Sequence, residues 1–102
     1  MLASFSIMPL GRGEEMKEEV ARVLDLVDRS GLNYRAGAMQ TTVEGEPDKV
    51  MDLITRCHSL MKSIAPRVIT SIIIDDRMDE AGGLTEKVAE VEEILGRSLK
   101  HE

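Results

Sequence analysis

Apolar and polar positions alternate from Leu2 to Pro9. Ala3, Phe5 and Ile7 point one way and Ser4, Ser6 and Met8 the other, which predicts a strand with one apolar face, stopped by Pro9 and Gly11. The period then lengthens. Over Glu14–Ser30, Met16, Val20, Val23, Leu24 and Val27 fall on one stripe with Glu and Arg opposite, the pattern of an amphipathic helix. Glu14, Glu15, Glu18 and Glu19 suit the positive end of its macrodipole, and Gly31 is a natural left-handed stop. Two short strands follow, Tyr34–Met39 and Thr41–Glu44, with a tight connection near Gln40 that lacks the Asn-Gly signal of a two-residue hairpin. Gly45 breaks the run. Pro47 and Asp48 open a second helix, Pro47–Ser63, whose apolar stripe is Val50, Leu53, Ile54, Cys57 and Met61. Pro66 separates it from a strand over Arg67–Asp75, in which every residue from Val68 to Ile74 except Ser71 is β-branched. Such a run reads as a strand covered on both faces. The chain's own helices can cover one face, so the other is expected to meet a partner or a ligand. Beyond Gly82 and Gly83, the positions of Leu84, Val88, Val91 and Leu95 predict a short last helix, and Arg97–Glu102 reads as a frayed tail.

The order is β-α-β-β-α-β plus a terminal helix. It predicts an α+β, ferredoxin-like βαββαβ fold: an antiparallel four-stranded sheet, two helices on one face, the other face open, and a short C-terminal helix. At 102 residues, without repeats, linkers or low-complexity tracts, residues 1–102 read as a single domain. A core of this size buries a modest fraction of the chain, so self-association would add stability.

Composition narrows the partners. The chain is 42% hydrophobic and 31% charged, a globular mixture, with a formal net charge of -6. That balance disfavours nucleic acid and anionic membrane surfaces and is permissive for a cationic ligand. Cys57 is the one cysteine, so no intrachain disulfide can form, which fits a reducing, cytoplasmic setting. No apolar stretch approaches the ~18 residues of a membrane span, and Met1–Leu10 is too short and interrupted to read as a secretion leader.

Strand parity gathers the polar candidates. With Phe5 and Ile7 facing the helices, Ser4, Ser6 and Met8 lie on the open face. Ile69, Ser71, Ile73, Asp75 and Arg77 share a face opposite the more uniformly apolar Val68, Thr70, Ile72 and Ile74, and are assigned to the open side. Thr42 and Glu44 form a further set. Small hydroxyls and one or two carboxylates in a floor of Met8, Ile69 and Ile73 suit a small polar ligand with a positive or amine-bearing group. The plainer alternative is a face that packs on another subunit. Catalysis finds no footing. Asp75 and Asp76 are consecutive strand residues that point opposite ways, and no further hard ligands accompany them, so no metal site is expected. Cys57 and His58 diverge by about 100° on a helix and form no dyad. A phosphate loop at Leu10-Gly11-Arg12-Gly13 would be opposed by Glu14 and Glu15. Base stacking on the sheet would need aromatics that a chain with one Phe and one Tyr does not supply.

Several segments together carry a resemblance: Ser6-Ile7-Met8-Pro9-Leu10-Gly11, Ser30-Gly31-Leu32-Asn33-Tyr34, Thr41-Thr42-Val43-Glu44-Gly45-Glu46, Arg67-Val68-Ile69-Thr70 leading into Ile74-Asp75-Asp76-Arg77, and Glu86-Lys87-Val88. In order and spacing the chain resembles the small YkoF-like thiamine-binding protein family over nearly its whole length. The resemblance implies a ferredoxin-like fold assembled into dimers or tetramers, and binding of thiamine or its hydroxymethylpyrimidine moiety at the open face and subunit interface, with no catalysis and no cofactor. It carries over Ser6, Thr42, Glu44 and Asp75 as site residues, with Arg77. Face parity adds Met8 and Ser71. The rival expectation is a regulatory or structural homo-oligomer that holds a different small metabolite at the same interface.

Overall fold

A computed structural model describes residues 1–11, 17–78 and 92–97. Its elements are strand β1 (Leu2–Leu10), helix α1 (Lys17–Arg29), strands β2 (Asn33–Ala36) and β3 (Thr41–Glu44), helix α2 (Pro47–Lys62) and strand β4 (Arg67–Asp75). The four strands form one sheet in the order β2-β3-β1-β4, and every adjacent pair is antiparallel. This is the ferredoxin-like arrangement that the element order predicts.

The core lies between the sheet and the two helices. Val50, Leu53, Ile54, Cys57 and Met61, the whole predicted stripe of α2, are buried, as are Val23 and Val27 of α1 and Ala3, Phe5 and Val43 from the sheet. Spacing of three and four residues along α2 forces this set onto one side, where it meets the apolar faces of β1 and β3. Val20 departs from the expectation: it is 46% exposed, and only the later part of the α1 stripe is sealed. The strands beneath α1 are four residues each, so the sheet ends before the helix does. Met16 and the expected first turn from Glu14, like Leu84, Val88 and Val91 of the terminal helix, lie outside the described residues. Of that helix, Glu92–Leu95 is helical and Gly96 N–H donates back to Glu92 O at 2.8 Å.

α1 stops where the sequence says it should. The Ser30 hydroxyl donates to Val27 O at 2.5 Å and accepts from Leu32 N–H at 3.1 Å, while Gly31 takes φ +77°. A side chain at that φ is strained by about 1–2 kcal/mol, and space around Gly31 is open, so nothing else enters the balance. Gly31→Ala is therefore expected to lower stability by about 1 kcal/mol in urea melts. An unchanged midpoint would mean the loop re-forms without the left-handed residue.

Two strand boundaries and the covering of β4 differ from the sequence reading. β2 begins at Asn33 and ends at Ala36 rather than running from Tyr34 to Met39. The Gly37 N–H donates to Gln40 O at 2.9 Å, closing a turn over Ala38 and Met39, and neither takes a positive φ. β1 continues through Pro9 to Leu10. β3 pairs with β1 over Leu2–Phe5, so at Pro9 the strand has β4 on one side and, among the described residues, no strand on the other, and a missing N–H is tolerated there. Finally, β4 is covered only in part on its helix side, where Val68 packs against the core. Ile72 and Ile74, on the helix side, are 38% and 47% exposed. α2 reaches the sheet edge at Thr70, whose hydroxyl lies 2.6 Å from His58 Nδ1.

Candidate functional site

The open face follows from the register. Residues directly opposite each other in an antiparallel ladder share a face. Asn33, Glu44, Leu2 and Asp75 form one row across all four strands, and Arg35, Thr42, Ser4 and Ile73 form the next. Beyond the end of β3 the rows narrow to β1 and β4, pairing Ser6 with Ser71, Met8 with Ile69 and Leu10 with Arg67. The opposite parity carries the buried Ala3, Phe5 and Val43, so these rows look away from the helices.

The structure thus places Ser6, Met8, Thr42, Glu44, Ser71 and Asp75 on one face, spread over about 20 Å between the Leu2 and Met8 rows. Ser6 and Ser71 are direct cross-strand partners. The Thr42 hydroxyl lies 3.2 Å from that of Ser4, one row along. Asn33 Nδ2 donates to Glu44 Oε1 at 3.1 Å and fixes that carboxylate beside the hydroxyls. Glu44 and Asp75 flank Leu2 from opposite sides, which sets their backbones about 10 Å apart at ordinary strand spacing. They are two separate carboxylates at one end of a partly apolar floor. β4 ends at Asp75, so strand parity does not assign Arg77 to either face.

Two residues on the face escaped the sequence reading. Asn33 and Arg35 stand in the same rows as Glu44 and Thr42. Starting β2 at Tyr34 left its faces unassigned. The signal that would have found them is the alternation Asn33-Tyr34-Arg35-Ala36, in which Tyr34 points to the helices: its hydroxyl donates to Asp28 Oδ1 of α1 at 2.7 Å. Arg35 is half-buried and has no ion pair among the described residues.

Ser6 also borders a cavity of about 190 Å³ on the helix side, where the sheet thins beyond β3; Phe5, Val20, Val23, Met39 and Met61 line it. Among the described residues no group of three or more His, Cys, Asp or Glu is placed to hold a metal ion, and no helix is long and apolar enough to cross a membrane.

Comparison with known proteins bears on what the face is for. The family model described as thiamine-binding protein matches residues 3–92. A UPF0045 protein from Mycobacterium bovis is 38% identical over 98 residues, covering 95% of this chain and 96% of its own. A crystal structure of a hypothetical protein from Methanocaldococcus jannaschii superposes with a TM-score of 0.82 at 28% identity, over 90% of this chain and 95% of that one. A domain of unknown function from Bacillus cereus superposes at 0.78 with 34% identity, over 87% and 86%. With the model match spanning nearly the whole fold and close relatives end to end, the chain belongs to the thiamine-binding protein family.

Proposed function

We propose that this protein binds thiamine, or its hydroxymethylpyrimidine moiety, on the open face of the sheet as a cytoplasmic, non-catalytic homo-oligomer. The observation that supports the reading is the row geometry: two carboxylates and a set of small hydroxyls share one face with an apolar floor, in a chain of the thiamine-binding family. Thiamine has a cationic thiazolium and an aminopyrimidine that both donates and accepts. Glu44 or Asp75 matches the cation or the amine through a charge-assisted hydrogen bond. Ser6, Ser71 and Thr42 match the ring nitrogens, and Met8, Ile69 and Ile73 supply the flat apolar contact that aromatics often give elsewhere. Glu44 is the stronger candidate, because Asn33 already holds its carboxylate in place.

Arg35 favours the rival reading. A purely cationic ligand does not use a guanidinium beside Thr42, whereas an anionic metabolite would. Isothermal titration calorimetry with thiamine and with hydroxymethylpyrimidine separates the two. Saturable heat with either supports the vitamin reading; silence with both, followed by a response to an anionic metabolite, supports the rival.

Glu44→Gln is the sharper test. It keeps an acceptor for Asn33 and removes only the charge. Charged hydrogen bonds exceed neutral ones by roughly 1–1.5 kcal/mol, so thiamine affinity is expected to fall about tenfold with the melting curve unchanged. Equal affinity in the folded variant would take Glu44 out of the site.

A further inference from the structure

A second concavity opens on the other side of the sheet from Glu44 and Asp75: the helix-side cavity of about 190 Å³. β1 supplies Phe5 to its wall, α1 supplies Val20, α2 supplies Met61, and the turn between β2 and β3 supplies Met39 and Gln40. Thr41, directly opposite Phe5 in the ladder, opens β3 on the same side. The Gly37 N–H bond to Gln40 O at 2.9 Å holds the turn, so this rim is shaped before a ligand arrives. Val20 is 46% and Met39 87% exposed, which leaves apolar surface uncovered at the mouth.

Charge, polarity and size together define what fits. None of the described residues that line the cavity is charged, although the chain carries a net charge of -6. An ion entering it would lose water without gaining a counter-charge, so a neutral molecule is favoured. Two polar side chains interrupt the apolar lining, the Thr41 hydroxyl and the Gln40 carboxamide at the rim. Ser6 lines it as well, but its side chain turns to the open face opposite Ser71. Neither the Thr41 nor the Gln40 side chain makes a hydrogen bond among the described residues. Adjacent in sequence, they offer both donors and acceptors to a ligand. A few such groups in a mostly apolar concavity are the ordinary make-up of a small-molecule site. An apolar cavity of about 150 Å³ accepts benzene. The 190 Å³ here therefore hold one six-membered ring and one small substituent. The Phe5 ring and the thioethers of Met39 and Met61 favour an aromatic ring over a saturated one.

We propose that this cavity binds a small, uncharged aromatic carboxamide: one ring seated against Phe5 and Met61, with its amide donor and acceptor paired to Gln40 and Thr41. The site is separate from the open face and stands whether or not thiamine is the ligand there.

Benzamide is the probe, and benzoate is its charged counterpart of nearly the same shape. In titrations of the native chain followed by amide nuclear magnetic resonance, benzamide is expected to shift Val23, Gly37, Gln40 and Thr41 saturably. The midpoint is expected in the low-millimolar range, ordinary for a one-ring ligand. Benzoate is expected to bind at least about tenfold more weakly. Val20→Phe, at a half-exposed position, fills the cavity from its mouth and is expected to abolish saturation while the spectrum stays folded. Thr41→Val keeps the shape and removes the hydroxyl, and is expected to weaken benzamide about fivefold. Absence of saturable shifts up to the solubility limit of benzamide overturns the proposal. So do shifts confined to Ser4, Thr42 and Glu44 on the open face, equal affinity for benzoate, undiminished binding to Val20→Phe, or unchanged affinity in Thr41→Val.

Discussion

Phe5→Ala is expected to bring the protein to the edge of unfolding. Phe5 is 3% exposed, stands between Thr41 of β3 and Ile72 of β4, and borders the 190 Å³ cavity beside α1. Truncating a buried Phe costs about 3–5 kcal/mol, part of it for the void left behind. Domain stabilities run about 5–15 kcal/mol, and a chain this small sits low in that range. In urea the midpoint is expected to fall by more than about 1 M, read by far-ultraviolet circular dichroism. Phe5→Leu, which keeps most of the volume, should recover the greater part of the loss. A Phe5→Ala midpoint within about 0.3 M of the native one would show that the core does not depend on β1 in the way its burial indicates.

The second large effect belongs to Cys57. Burial in α2 against the sheet pushes its thiol up to about 11, because the thiolate cannot be solvated there; nearby Arg56 opposes this only weakly. Two consequences follow. In the folded protein, alkylation by iodoacetamide near neutral pH is expected to run at least a hundredfold slower than in urea, from the lower thiolate fraction and from lost access. The folded thiol also holds its proton to higher pH than the unfolded thiol, whose ordinary value is 9.0. Between about pH 9 and 11 the native state therefore binds more protons than the unfolded one, and stability falls as pH rises. The contribution is fully present below pH 9. Tyr34 acts in the same sense: its hydrogen bond to Asp28, and then burial and the Asp28 charge, hold its phenol above the ordinary 10.0. Cys57→Ala is expected to shift the onset of alkaline destabilisation upward, leaving the part due to Tyr34. Identical pH profiles in the two proteins would mean that the thiolate is accommodated in the core.

Much of the fold was legible from local pattern. The α2 stripe matched its buried set residue for residue, and β4 was bounded at Arg67 and Asp75 by the end of the β-branched run. The errors fell where neighbours outvote local signals. Pro9 looked like a stop because prolines interrupt sheets, yet it lies where β1 has lost β3. Val20 looked buried because its spacing is helical, yet the sheet beneath α1 is too short. The site divides in the same way. Ser6, Met8, Thr42, Glu44, Ser71 and Asp75 could be assigned to faces by counting within each strand. Asn33 and Arg35 could not, because a one-residue error in a four-residue strand leaves both faces undefined.

The sequence by itself determined the element order, the helical stripes and the side of each long strand that turns inward, since these depend on spacings of two to four residues along one chain. Only the tertiary structure decided which strands are neighbours and in what register. That choice set Ser6 against Ser71, joined Asn33 to Glu44, placed Arg35 on the open face and left β4 at the edge with its isoleucines partly exposed. Register is settled by contacts between residues dozens of positions apart and by the relative lengths of strands and helices, quantities that no local period encodes.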